Sequence, residues 1–111
     1  MATVDWTGAS GKKYTYHVHD LNFDPNPNQD GNYIFEKVVN SVWNAVYVGE
    51  GDLKERIAAA KRDGCVTRKA ATHIHAHLNG SEKNRKAEEA DILAGNPEAY
   101  EPTGCNKKTG G

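Results

Sequence analysis

The clearest alternation in the chain is "THIHAHL", which puts Ile74, Ala76 and Leu78 on one side of a strand and His73, His75 and His77 on the other. "KYTYHVHDL" alternates in the same way and predicts a strand near 13–19. "DPNPNQDG", residues 24 to 31, is a loop by composition. The runs "NYIFEKVV" and "WNAVYVG" are apolar and rich in β-formers, predicting a hairpin with strands near 32–38 and 42–48. A three-residue connection centred on Asn40 would set Tyr33 directly opposite Tyr47, and a slip of one residue would separate them.

Helical periodicity is strongest in "GDLKERIAAAKRDG". Asp52 suits the N-cap, Glu55 completes a capping box, Leu53, Ile57 and Ala60 form the apolar stripe, and Gly64 ends the helix. "CVTRKAA" is ambiguous between a short helix and a loop. "SEKNRKAEEADILAGN" predicts a second helix capped by Ser81, stopped by Gly95, with Ala87, Ala90 and Leu93 inward. Residues 1–12 read as a flexible tail, 13–106 as one domain and 107–111 as a second tail. The fold class expected is α/β, a small three- to four-stranded, mainly antiparallel sheet flanked by helices.

Composition narrows the class. The chain has 111 residues, 37% hydrophobic and 26% charged, which suits one small globular domain. No apolar run approaches the roughly 20 residues of a bilayer span, and "MATVDWTGASGKK" lacks the apolar core of a signal peptide. Cys65 and Cys105 are too few for a disulfide framework, so reduced thiols and a cytoplasmic location are expected. The net charge of −1 hides an asymmetry. Between Leu53 and Lys86 lie nine basic and three acidic residues, leaving five basic and twelve acidic elsewhere. Such segregation makes either one positive face or merely a solvated pair of helices.

The three histidines invite a zinc site. At about 3.3 Å per residue His73 and His77 stand roughly 13 Å apart, too far to share an ion that holds nitrogen at about 2.0–2.1 Å. Two neighbours could share one only with further ligands, for which Cys65, Cys105, Asp91 or His17 are candidates. The plainer reading is a strand face with imidazoles bonded to solvent and backbone.

A different constellation carries more. Gly31-Asn32-Tyr33 opens the first hairpin strand and Tyr47-Val48-Gly49 closes the second. Arg56 follows on the first helix, Glu89 on the last, and Pro97 or Pro102 with Asn106 after it. In this order the chain resembles the GIY-YIG nuclease family over roughly residues 31 to 106. It departs from that pattern at Asn32, at Val48 in place of Ile, and in the looser Pro102-x-x-x-Asn106 ending. Helical geometry agrees in part. Arg56 lies about 70° and Glu89 about 100° from the apolar centres of their helices, whereas Glu88 points nearly opposite. Without the resemblance, Glu89 reads as a boundary residue paired with Arg85 or Lys86, and the tyrosines as core.

The resemblance implies hydrolysis of phosphodiester bonds, most often in DNA. It implies that Arg56 neutralises phosphate and that Glu89 is the ligand of one divalent ion, Mg²⁺ or Mn²⁺. Tyr33 would activate water and Tyr47 orient water or phosphate. His77 is a candidate proton acceptor. Backbone affinity is expected from Lys54, Lys61, Arg62, Arg68, Lys69, Lys83, Arg85 and Lys86. No separate sequence-reading module is visible, so specificity would be weak, structural, or lent by a protein partner or a homodimer. A catalytically silent nucleic-acid- or protein-binding module of the same fold and a His-rich metal-binding protein are the rival readings.

Overall fold

A computed structural model describes residues 2–108. It is an α/β fold whose element order is β1 (Thr3–Thr7), β2 (Lys13–Asp20), β3 (Asp30–Val39), β4 (Val42–Asp52), α1 (Leu53–Asp63), α2 (Cys65–Arg68), β5 (His73–Leu78) and α3 (Glu82–Gly95), then a 3₁₀ turn, Pro97–Ala99. The five strands form one antiparallel sheet in the order β1-β2-β5-β3-β4. The expectation of three to four strands falls short because the supposed N-terminal tail supplies β1. Its Thr3-Val4-Asp5-Trp6-Thr7 pairs along β2, and Trp6 is buried. Two threonines, a valine and a tryptophan give that segment a strand former at four of five positions.

The hairpin is longer and tighter than expected. Val39 pairs with Val42 across a two-residue turn in which Asn40 and Ser41 both have positive φ, 51° and 64°. That is the primed turn that matches strand twist. Tyr33 therefore faces Gly49, and Tyr47 faces Phe35. A β-bulge between Phe35 and Glu36 leaves Val46 unpaired. The extra residue puts Val46 and Tyr47 on the same side of the sheet, while Ala45 and Val48 take the other.

Each face has its own core. Tyr33, Phe35, Val46, Ile74 and Ala76 pack under Leu53 and Ile57 of α1 and Val66 of α2. Phe35, Ile57 and Ile74, all essentially inaccessible, are each worth about 1.5–3 kcal/mol by burial. The opposite face packs Trp6, Tyr16, Ile34, Ala45 and Val48 against Ile92 and Leu93 of α3 and Ala99 of the 3₁₀ turn. The predicted caps of α1 hold: Asp52 accepts from the Glu55 N–H at 3.0 Å, and Gly64 adopts φ 88°. Ser81 caps α3, accepting from the Asn84 N–H at 3.2 Å.

The inward face of α3 differs from the expectation. Arg85, Glu88, Ile92 and Leu93 are buried, whereas Ala87 and Ala90 are exposed. The helix turns polar side chains inward because the sheet beneath it presents Tyr16, Asn32 and His77.

The cysteines are a second correction. Cys65 and Cys105, forty positions apart in sequence, form a disulfide with Cα atoms 5.9 Å apart. The route from reduced thiols to a cytoplasmic location therefore falls. Of the expected C-terminal tail, Lys107 and Lys108 are exposed and irregular, and 109–111 lie outside the described residues. Among the described residues no helix is long and apolar enough to cross a membrane.

Candidate functional site

Two glycines fix the tyrosine motifs. Any Cβ on Gly49 would run into the Tyr33 ring, which lies across it, and a Cβ on Gly31 would strike the His77 carbonyl on β5. Both positions need the absence of a side chain for close approach rather than for an unusual φ. With Tyr33 over Gly49 and Tyr47 turned to the same side by the bulge, the two rings lie 6.1 Å apart, tilted by 43°.

These phenols floor a cleft of about 430 Å³. One wall is α1 and α2, with Arg56, Asp63 and Cys65. The other is the β4 edge and the C-terminal loop, with Cys105, Asn106 and Lys107, and Glu89 enters from α3. Tyr33, Tyr47, Arg56 and Glu89 thus meet around one concavity although they come from four elements. Asn106 holds the β4 wall, accepting from the Val48 N–H at 2.8 Å and donating to the Val48 carbonyl at 2.9 Å.

The electrostatics distinguish the four. Tyr33 is 2% exposed, and burial holds its phenol well above the ordinary tyrosine range; Tyr47 adds to this, and Arg56 opposes it. Glu89 is pushed up to about 7, first by burial and then by the charge of Glu50, against the pull of Arg56 and Lys86. Arg56 is exposed at the rim, as expected for a guanidinium at the edge of the apolar stripe. A second groove of about 800 Å³ shares Arg56 and Ala59 with the cleft and carries Lys54 and Arg62.

His77 is elsewhere. It lies on the α3 side of the sheet and does not line the cleft. Its Nε2 sits 2.6 Å from Glu88 Oε2 and its Nδ1 3.0 Å from the Leu78 carbonyl. Both nitrogens are engaged on the α3 face and neither reaches the cleft, so His77 is not placed to take a proton from a reacting water there. The same Glu88 oxygen accepts from the buried Tyr16 hydroxyl at 2.5 Å. Glu88, expected on the solvent side, is the organising carboxylate of that face. Tyr16, alternating with Tyr14 along β2, and Glu88, at helical spacing from Arg85 and Ile92, were the available signals.

Arg85 also changes role. It is 6% exposed, donates from Nε to Glu50 at 2.9 Å and from Nη1 to the Asn79 carbonyl at 3.0 Å. Its guanidinium is committed inside the fold and not offered to phosphate. Lys54 pairs with Asp24, Lys61 donates to the Leu21 carbonyl and Lys69 to that of Pro102. Arg62, Arg68, Lys83 and Lys86 are exposed and enter no ion pair among the described residues.

The remaining histidines are engaged separately. His73 Nδ1 lies 2.9 Å from the Thr72 hydroxyl. His75 is wholly buried and accepts at Nδ1 from Trp6 Nε1 at 3.0 Å. Nδ1 is therefore bare and the proton sits on Nε2, 2.9 Å from Glu36 Oε1. An imidazolium would turn a second N–H toward the indole, so this contact is no ion pair. It is close but off the hydrogen-bond direction, leaving both Glu36 oxygens without a well-formed partner. Burial pushes Glu36 up to about 10 and His75 down to about 4. Both are neutral at pH 7. Among the described residues no three His, Cys, Asp or Glu side chains are disposed to hold a metal ion.

No protein-family model, no curated protein and no solved structure matches this chain.

Proposed function

We propose that this chain is a divalent-metal-dependent endonuclease of the GIY-YIG type that hydrolyses phosphodiester bonds in DNA. The observation that carries the reading is the convergence of Tyr33, Tyr47, Arg56 and Glu89, picked out by motif order from separate elements, on one open cleft. Arg56, exposed at the rim, offers a permanent charge and a planar fork to phosphate oxygens. Tyr47 donates a hydrogen bond to water or phosphate. Tyr33, held neutral by burial, donates likewise; Arg56 already weighs toward its ionisation, and further positive charge in the cleft would be needed for it to take a proton.

Glu89 would hold a single Mg²⁺ or Mn²⁺. One partly buried carboxylate in a wet cleft fits a hard ion that keeps most of its waters and takes phosphate oxygens as its other ligands. Such an ion supplies Lewis acidity and steadies the leaving oxygen. Along the adjoining groove Arg62 adds exposed positive charge to that of Arg56, among the carboxylates of Asp30, Asp52 and Glu55, while Lys54 there is paired with Asp24. Exposed Arg68, Lys83 and Lys86 line neither concavity, and any phosphate-backbone binding that draws on these cations should weaken with salt. Specificity for sequence would be low, or supplied by a partner or a second copy.

The test is nicking of supercoiled plasmid in Mg²⁺, Mn²⁺ or EDTA by wild type, Arg56→Ala and Glu89→Ala. Wild-type nicking that needs the metal and is lost in both variants supports the proposal. Nicking that persists in either variant overturns it. The neutral, deeply buried Tyr33 also favours a second reading, a silent nucleic-acid-binding module, which predicts salt-sensitive DNA binding with no metal-dependent nicking.

A further inference from the structure

The cleft is bridged covalently by the Cys65–Cys105 disulfide, and both cysteines line it. Cys65 begins α2 on the Arg56 wall; Cys105 lies in the loop that forms the opposite wall beside Tyr47. That loop is folded on itself, with Asn106 N–H donating to the Ala99 carbonyl at 2.8 Å and Glu101 N–H to that of Asn106 at 2.8 Å. It is fastened to the β4 edge through Cys105 N–H to the Val46 carbonyl at 2.7 Å and through the paired Asn106–Val48 bonds. These hydrogen bonds join the loop to β4. Toward α2 it is tied by the disulfide and, from the side chain of Lys69, by a bond to the Pro102 carbonyl at 2.6 Å. Both half-buried cysteines are reachable through the open cleft.

We infer that this disulfide is a redox latch on the cleft, closed and competent when oxidised, opened by a small dithiol or a dithiol protein. In the exchange a thiolate of the reductant attacks one sulfur and the Cys65–Cys105 bond breaks. A mixed disulfide forms and is resolved by the reductant's second thiol. One S–S bond is lost in the protein and one gained in the reductant, while two electrons and two protons pass to the cysteines. With the covalent tie gone, the wall carrying Cys105, Asn106 and Lys107 can part from α2. The grip of Asn106 on Val48, next to Tyr47, then loosens. The effect on nicking rests on the function proposed above; the effect on the wall does not.

The experiment follows amide exchange in the full chain, oxidised, reduced with dithiothreitol, and reoxidised. A latch predicts that reduction speeds exchange at Val48, Cys105 and Asn106 by at least about tenfold, more than at the β3 and β5 amides of Ile34 and Ile74, and that reoxidation reverses it. A uniform rise across the sheet, as a merely structural cross-link would give, overturns the inference. So does a disulfide that dithiothreitol reduces only on global unfolding. The doubly substituted Cys65→Ser, Cys105→Ser chain should show the reduced pattern and ignore dithiothreitol; should it not fold, the reversible cycle of the wild type still decides. If plasmid nicking is present, reduction should slow it about tenfold, and undiminished nicking by the reduced chain refutes the latch. If nicking is absent in both redox forms the nuclease proposal falls, and the exchange pattern alone decides the latch.

Discussion

Glu36→Gln should flatten one part of the protein's pH dependence. Glu36 is inaccessible to solvent, its carboxyl is raised to about 10 by burial, and its nearest polar neighbour, His75, is a neutral ring whose Nδ1 accepts from Trp6. In the unfolded chain the same carboxyl titrates near its ordinary 4.5. Between those values the native state keeps a proton that the unfolded state has released. The stability contributed by the neutral acid is thus full below the unfolded value and is lost as pH rises toward the folded one. Each pH unit in that window costs about 1.4 kcal/mol, so from about pH 5 to pH 8 the wild type should lose up to about 4 kcal/mol through this group. Glutamine has the same shape as the protonated acid and does not titrate.

The assay is urea unfolding at several pH values across that interval, followed by tryptophan fluorescence. Glutamine adds an N–H that the site has to accommodate, which displaces the variant's curve by a constant amount. His75 is common to both proteins. Both contributions cancel in the pH dependence of the difference, which should grow by up to about 4 kcal/mol in favour of the glutamine variant. Parallel curves would refute the reasoning, because they would mean that Glu36 releases its proton in the native state as readily as in the unfolded chain.

Gly49→Ala should cost about 1–3 kcal/mol and displace the Tyr33 ring, seen as a lower melting temperature and an altered near-ultraviolet dichroism; an unchanged spectrum would show that the ring does not cross Gly49. Arg85→Ala should cost about 3–5 kcal/mol in chemical unfolding because Glu50 is left without its partner, whereas Lys86→Ala, exposed, should fall within about 0.5 kcal/mol of wild type. Eliminating the cross-link by Cys65→Ser with Cys105→Ser should lower stability by about 4 kcal/mol on the chain-entropy argument for a forty-residue loop, read from urea midpoints. Glu89 must lose its proton to hold a cation, so Mn²⁺ affinity, followed by paramagnetic relaxation, should fall about tenfold per pH unit below its value of about 7 and level off above; a flat profile would remove Glu89 as the ligand.

What the sequence disclosed follows from how local each signal is. The caps of α1 and α3 were legible because Asp52 and Ser81 act on amides three residues away. β5 was legible because alternation is a property of a single strand. β1 was missed although "TVDWT" alternates, because two apolar positions in five residues are too short a signal and the strand is held by pairing with β2. The face of α3 was misjudged for a related reason. Apolar periodicity places alanines inward, but alanine gains little by burial, while Arg85 and Glu88 gain partners that only the assembled sheet provides. The disulfide was illegible because pairing depends on where a loop after α3 returns, which no spacing of two cysteines encodes.

The tyrosine cleft shows how two side chains can be brought together by a register other than the expected one. The motif order singled out Tyr33 and Tyr47 as partners, and a simple hairpin would have set them face to face. The real register puts Gly49 opposite Tyr33 and Tyr47 opposite Phe35. In this arrangement the glycine is the device: with no Cβ at 49, the Tyr33 ring folds across the strand toward Tyr47. The bulge at Val46 is the complement. It turns the upper half of β4 by one position, so Tyr47 keeps the cleft face while Ala45 stays with the α3 core. Direct cross-strand pairing would have spent both rings on each other's faces. The offset leaves a gap that Arg56 of α1 and Glu89 of α3 both reach, from helices packed on opposite faces of the sheet. A cleft of this kind therefore depends on a missing side chain at 49 and an extra residue at 46.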